Sequence, residues 1–157
     1  MKKNGFTVIE LTIALVMMVI LTGAVVVTFL ACFRSWEAAE ARSKVRIEIS
    51  QAMELMVRNL SKASLFQIPK SLKITFTADL GEGEGKYGFF IEAHPSGEYW
   101  QLFKYFKDSD KNYSLMASFI KDPNVFSVEN NVITINLTGI SGDSEFFMRT
   151  SVRPRNL

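Results

Sequence analysis

An uninterrupted apolar run occupies residues 11–33, with no charged residue inside it. About 20 consecutive apolar residues are enough for a helix that crosses a membrane, and this run exceeds that length. An ordinary secretory signal fits poorly, because its apolar region spans only about 7–15 residues. The pattern therefore predicts a membrane-spanning helix.

After this run the apolar positions become periodic and mark one face of a helix. They recur every three or four residues, as Val45, Ile49, Ala52, Met56, Leu60 and Ala63, with charged side chains largely off that stripe. No proline appears before Pro69, so we expect one helix from Phe6 to about Ser64, about 88 Å long. A compact domain of this size cannot bury such a helix. Its first half should therefore project, and its second half should form the spine of a head.

After Pro69 the pattern changes to short alternating runs that are typical of β-strands. The predicted strands cover residues 72–76, 87–93, 99–106, 113–119, 125–129, 132–137 and 145–152. Asn130 and Asn131 form a two-residue turn that tolerates positive φ. One long helix followed by six or seven short strands predicts an α+β fold, with the helix laid on an antiparallel sheet.

One carboxylate, that of Glu10, stands at the start of the apolar segment. A charged side chain at membrane depth costs about 2.5–3.5 kcal/mol, so such residues usually have a functional partner. The alternative is that Glu10 only complements the positive N-terminal end of a helix.

The residues around Glu10 resemble the processing site of type IV pilins and type II secretion pseudopilins. That site has a short basic leader ending in glycine, then Phe, a small residue, two aliphatic residues and Glu. This chain has Lys2-Lys3-Asn4-Gly5 followed by Phe6-Thr7-Val8-Ile9-Glu10. The resemblance implies that a prepilin peptidase cleaves between Gly5 and Phe6 and methylates the new Phe6 amine.

Cleavage would leave a cationic amine on Phe6, one helical turn from Glu10. Glu10 of a neighbouring subunit could neutralise that amine when the helices pack side by side, because pairing offsets the cost of burying a charge. In the family this contact is thought to fix the axial register during assembly. We predict no cofactor.

The resemblance also implies a pilin-like fold in three segments: a leader at residues 1–5, a transmembrane assembly helix at 6–33, and a head at 34–157. Lys2 and Lys3 favour a cytoplasmic N-terminus and a periplasmic or extracellular head on a single-pass inner-membrane protein. The implied partners are other pilin or pseudopilin subunits of a hetero-oligomeric filament or tip complex, the prepilin peptidase and the inner-membrane assembly platform.

The pattern of residue types in segment 34–61 is similar to that of the J group of minor pseudopilins, which are thought to form a priming tip complex. The ending at residues 151–156 is similar to the tails of some minor pilins. The expected role is that of a structural minor subunit. A second interpretation makes the head a filament-tip receptor for DNA, a surface or a secreted substrate.

A third interpretation is a membrane-anchored lipoprotein or enzyme. Phe29-Leu30-Ala31-Cys32 is similar to a lipoprotein processing box, which would make Cys32 a lipidated N-terminus. Cys32 is the only cysteine in the chain, so an intrachain disulfide is excluded.

Charge and the remaining motifs add little chemistry. Loss of Lys2 and Lys3 would reduce the formal charge from +2 to zero, so nucleic acid is not an expected partner. Arg149, Arg153 and Arg155 are typical of a solvated tail. The glycine-rich segment 81–86 lacks the spacing of a phosphate-binding loop, and its glutamates would repel phosphate.

Two further segments are candidates for metal or catalytic chemistry. Asp108, Asp110 and Asn112 resemble the beginning of a calcium loop, but an EF-hand needs glycine and glutamate where Tyr113 and Phe119 stand, so a polar hairpin tip is the alternative. His94 has no second histidine to complete a metal pair or a catalytic constellation, and we predict no catalytic residue.

Aromatic residues fall on both faces of one predicted strand, at Tyr99, Trp100, Phe103, Tyr105 and Phe106. We expect one of these faces to pack on the helix. The other face would either contact a partner or lie under loops.

Overall fold

The computed structural model describes residues 7–70, 72–81, 83–105 and 113–155. The chain divides into two compact units, an N-terminal unit (Met1–Glu40) and a C-terminal unit (Ala41–Leu157). Helix α1 (Val8–Leu60) is 53 residues long and contributes to both units.

In the N-terminal unit, α1 is apolar and exposed. Every described residue from position 7 to 40 is exposed, including the large hydrophobic residues Val8, Leu21 and Phe29 at 80, 64 and 66%. By length and composition, α1 can cross a membrane, and it is the one such helix among the residues described.

The hydroxyl groups on this apolar helix are bonded to its own backbone. Thr22 donates to the Met18 carbonyl at 2.8 Å, Thr28 donates to the Ala24 carbonyl at 2.9 Å, and Ser35 donates to the Ala31 carbonyl at 3.0 Å. A hydroxyl that bonds the carbonyl one turn earlier needs no water, so these residues are compatible with an apolar environment.

In the C-terminal unit, the predicted stripe of α1 faces the core. Its members Val45, Ile49, Ala52, Met56 and Leu60 are all buried, and Ala63 is buried just beyond the end of the helix. This confirms the amphipathic pattern. The helix ends at Leu60, about one turn earlier than expected, because the chain turns and the Ser64 amide donates to the Thr77 carbonyl of the sheet at 2.9 Å.

Eight strands, counted over the described residues, form one antiparallel sheet that packs against α1. They are β1 (Leu65–Lys70), β2 (Lys73–Asp79), β3 (Glu84–Ala93), β4 (Trp100–Tyr105), β5 (Tyr113–Ile120), β6 (Phe126–Glu129), β7 (Val132–Ser141) and β8 (Ser144–Val152). The predicted α+β class, a long helix on an antiparallel sheet, is confirmed.

The sheet has the order β1-β2-β3-β4-β5-β7-β6, and β8 pairs with β7. The junction between β5 and β7 is narrow, with the pair Ile120 and Gly139 in register. β7 pairs with β6 at its beginning and with β8 from Ile133 to Ser141. Asn130 and Asn131 join β6 to β7 with φ values of 50° and 61°, as the predicted turn requires.

Gly139 allows close contact between β7 and α1. A Cβ atom at this position would lie 2.1 Å from Cδ1 of Ile49 and 2.9 Å from Cγ1 of Val45. Both separations are shorter than packed carbon atoms allow. The absence of a side chain therefore lets the helix rest directly on the strand.

Candidate functional site

The first turn of α1 is built around a reciprocal contact between Thr7 and Glu10. The backbone amide and the hydroxyl of Thr7 both donate to Oε2 of Glu10 at 2.9 Å, and the Glu10 amide donates to the Thr7 hydroxyl at 3.3 Å. Thr7 is the residue before the first helical residue, and Glu10 lies three positions later. This is a capping box, which satisfies amide groups that a helix start otherwise leaves unpaired.

The Glu10 carboxylate lies on an exposed apolar surface. Its neighbours Ile9, Leu11 and Ile13 are 68, 63 and 59% exposed. Both Thr7 bonds end on Oε2, and among the described residues no hydrogen bond reaches Oε1. The carboxylate can therefore cap its own helix and still offer one oxygen to another donor.

Aromatic side chains line the helix farther along the same unit. The rings of Phe29 and Phe33 are 6.5 Å apart and stacked, and those of Phe33 and Trp36 are 6.3 Å apart in an edge-on arrangement. Cys32 is exposed on this stretch of helix and has no disulfide partner. These residues extend the apolar surface that begins at Val8.

Several predicted site residues lie outside the described residues. Gly5 and Phe6, the predicted processing site, are among them. So are Asp108, Asp110 and Asn112, the candidate calcium ligands. Over the described part of the chain, no three His, Cys, Asp or Glu residues are grouped in a way that could hold a metal ion.

His94 belongs to a small aromatic stack. Its ring lies 4.3 Å from that of Tyr99, which lies 4.6 Å from that of Phe119. Nδ1 of His94 accepts a hydrogen bond from the Ser96 amide at 3.2 Å and is 2.9 Å from the Ser96 hydroxyl. These contacts give the histidine a structural place in the turn between β3 and β4.

The glycine-rich segment leads from β2 directly into β3, which begins at Glu84. The Gly81 amide donates to Oδ1 of Asp79 at 2.9 Å, as in a tight turn closed by an aspartate side chain. A strand therefore stands where a phosphate-binding loop would be followed by a helix.

The aromatic residues of β3, β4 and β5 form a cluster on the sheet face opposite α1. Phe90 and Phe103 stack at 5.2 Å, and Tyr113 meets their ring edges at 5.9 and 5.5 Å. Phe90 and Phe103 are half-buried, and Tyr113 is 55% exposed. Trp100, by contrast, is half-buried and packs against the core.

The three C-terminal arginines are exposed, but two of them lie on backbone that is bonded to the rest of the C-terminal unit. Arg149 lies in β8, where it pairs with Asn136 of β7. The amide of Arg155 donates to the Ser61 carbonyl at 3.3 Å, which holds the backbone of Arg155 beside the end of α1. The side chains are therefore solvated as predicted, but strand pairing at Arg149 and the contact of Arg155 hold the backbone of these two residues in place.

Sequence reasoning missed two features. Thr7-Val8-Ile9-Glu10 has the Thr-x-x-Glu pattern of a capping box, from which the start of the helix at Val8 could have been predicted. The strand β1 contains Pro69, which disfavours a strand assignment, yet it pairs with β2 at the border of the sheet.

In comparisons with family models, with curated proteins and with solved structures, nothing matches this chain.

Proposed function

We propose that this chain is a pilin-like structural subunit of a type II secretion or type IV pilus-type filament, in the manner of a minor pseudopilin. It is cleaved after Gly5, methylated on Phe6, held in the inner membrane by the first part of α1, and assembled by helix packing. Its role is mechanical rather than catalytic. The head occupies the periplasmic or extracellular side.

The observation that carries this proposal is the single carboxylate of Glu10 in the exposed apolar segment of α1, residues 8–33. The large hydrophobic residues of this segment, from Val8 at 80% to Phe33 at 44%, have no cover within the described part of the chain. Exposed apolar surface of this extent is stable only against lipid or other helices. A pilin-like subunit meets both environments: its helix lies in lipid before assembly and against other helices in the filament.

Glu10 suits this exchange of environments because of its two oxygens. In the single chain, Oε2 is held by Thr7 and the helix start is capped. Among the described residues no hydrogen bond ends on Oε1, and the donor that we propose for it is the methylated Phe6 amine of a neighbouring subunit. Removing one member of a buried charge pair costs about 3–5 kcal/mol, so assembly should depend strongly on this carboxylate.

The test combines processing and assembly in cells that contain a prepilin peptidase and the partner subunits. Intact-mass measurement of the membrane-extracted protein should give a chain that begins at methylated Phe6. Glu10→Gln should leave expression and processing unchanged but block incorporation into sheared filaments. Glu37→Gln is the matched control, since Glu37 is an exposed carboxylate on the same helix.

Two results would refute the proposal. A mature chain that begins at lipidated Cys32 would identify a lipoprotein instead. Normal incorporation of the Glu10→Gln variant would remove the carboxylate from assembly.

A second function, recognition of a ligand at the filament tip, is favoured by the aromatic cluster of Phe90, Phe103 and Tyr113. The test is the substitution Tyr113→Ala. If the filaments are retained while adhesion, uptake or secretion is lost, the result supports this role. Unchanged activity in all three assays would argue against it.

A further inference from the structure

Among the described residues, β1, β6 and β8 of the antiparallel sheet of the C-terminal unit each pair with one strand; β6 lies close to β1, so the sheet has one edge at β1 and β6 and the other at β8. Within the described part of the chain, β8 pairs with β7 and its other side has no strand beside it. An edge strand presents a row of backbone donors and acceptors to any extended segment that approaches it. The two edges of this sheet differ in how they are protected.

The β1 edge carries several features that discourage pairing. Its register shifts between Gln67 and Lys70, Pro69 removes one amide donor, and β6 lies close to it across the curled sheet. Irregular register, proline and a covering element are the usual ways of blocking an edge. β1 is therefore poorly suited to accept another strand.

Among the described residues, the β8 edge has no register shift, proline or neighbouring strand to block it, and its protection consists of the charged side chains of Glu145 and Arg149. β8 (Ser144–Val152) pairs with β7 over nine consecutive positions with no shift of register, and it contains no proline. It is thus a regular, extended template along its full length.

Side chains of β8 alternate between the core and solvent. Phe146 and Met148 pack against the core, whereas Glu145, Phe147 and Arg149 are exposed on the other face. Phe147 is 60% exposed, and Glu145, although it forms an ion pair within the chain, keeps 54% of its side chain exposed. An exposed aromatic residue therefore lies between an acidic and a basic side chain, at alternate positions of a free edge.

We propose that the β8 edge docks an extended segment of a partner protein, which adds to the sheet as an antiparallel strand. Its chemistry follows from the exposed face of β8. Centred opposite Phe147, an antiparallel strand places an acidic residue opposite Arg149, an apolar or aromatic residue opposite Phe147, and a basic residue opposite Glu145. Read from its N-terminus, the partner has the order acidic, aromatic, basic at every second position.

Two kinds of interaction define this surface. Backbone hydrogen bonds along the edge hold the added strand, and the alternate side chains select it. Opposite charges that face each other across strands stabilise the pair, while like charges in the same places destabilise it. The edge exists in the C-terminal unit alone, so this inference does not depend on the proposed assembly of α1.

The test uses the full-length chain in detergent, with the substitutions Cys32→Ser and Phe147→Cys. The probe is a synthetic peptide with a central cysteine activated as a pyridyl disulfide, an acidic residue two positions before it and a basic residue two positions after it. Directly opposed residues of antiparallel strands are close enough to form a disulfide. A second peptide has the two charged residues exchanged.

We expect the first peptide to form the mixed disulfide about tenfold faster than the charge-exchanged peptide, since two attractive pairs replace two repulsive ones. A further pair of peptides differs only in the residue opposite position 149, which is acidic in one and basic in the other. The protein with Arg149 should react faster with the acidic peptide, and the Arg149→Glu variant should react faster with the basic one. Leu65→Cys is the matched control site, because Leu65 is 66% exposed on the other edge strand. It should show no preference between the peptides.

Three results would overturn the proposal. Equal rates for both peptides with the Phe147→Cys variant would mean that only thiol reactivity was measured. The same preference with the Leu65→Cys variant would mean that the charges act away from β8. Disulfide-linked dimers of the Phe147→Cys variant, formed faster than the peptide adduct, would assign the edge to a second copy of this chain. Thermal unfolding of each variant by circular dichroism checks that the sheet is intact.

Discussion

Thr7 and Glu10 bind each other in both directions at the first turn of α1. The hydroxyl of Thr7 donates to Oε2 of Glu10 at 2.9 Å and accepts a hydrogen bond from the Glu10 amide at 3.3 Å. The same carboxylate therefore serves the helix within one chain and, in the proposed filament, the register between chains. These two roles can be separated by substitution.

Thr7→Val should remove the cap and leave the Glu10 carboxylate in place. Loss of an N-cap hydroxyl costs about 1 kcal/mol, which should appear as faster amide hydrogen exchange in the first turn of α1. Filament incorporation should persist, because the pairing group remains. Thr7→Ser, which keeps the hydroxyl, is the control. If Thr7→Val blocked incorporation as completely as Glu10→Gln, the cap alone would explain the need for the carboxylate.

A second prediction concerns the close approach of β7 to α1. Gly139→Ala would place Cβ 2.1 Å from Cδ1 of Ile49, so the core must shift. Overpacking of this kind costs about 1–3 kcal/mol. The measurement is urea unfolding followed by Trp100 fluorescence in a Trp36→Phe background.

Ile49→Val supplies the matched test of that clash, since it removes the Cδ1 methyl group. Alone it should cost about 0.5–1.5 kcal/mol. Combined with Gly139→Ala, it should cost less than the two separate losses added together, because the atom that clashes is gone. Strict additivity would show that the strain at position 139 does not come from Ile49.

The amount that could be predicted from the sequence differed between the helix and the sheet. Helical periodicity identified the buried face of α1, because residues three, four or seven positions apart share one face of a helix. Val45, Ile49 and Met56 follow this spacing. The Asn130-Asn131 turn was also predictable, since asparagine tolerates the positive φ that this turn needs. Such features depend on local geometry.

Features that depend on tertiary packing could not be predicted in this way. The contact of Gly139 with Ile49 requires knowledge of which strand lies under the helix. The free edge of β8 follows from the strand order, which places β5 and β6 on the same side of β7. Arg149 lies within the strand predicted at residues 145–152, but its pairing with Asn136 of β7 has no signature in the sequence alone.

A third prediction concerns the ion pair between Lys121 and Glu145. Both side chains are more than half exposed, at 52 and 54%, so water and salt screen their attraction. Lys121→Met should change the free energy of unfolding by less than about 1 kcal/mol, and Glu145→Gln should do the same. Urea unfolding at low and high salt is the measurement. A larger loss that disappears at high salt would show that this pair contributes more than exposed pairs usually do.

The last prediction tests the proposed orientation by the reactivity of single cysteines in a Cys32→Ser background. Glu98→Cys places a thiol on the exposed turn between β3 and β4, and Thr12→Cys places one in the apolar segment of α1. In intact spheroplasts, a membrane-impermeant maleimide should label position 98 and should not label position 12, because thiolate formation is suppressed in lipid. Denaturation in SDS should make both sites reactive, which controls for the presence of each thiol. Labelling of position 98 only after the spheroplasts are lysed would place the head in the cytoplasm and contradict the proposed orientation.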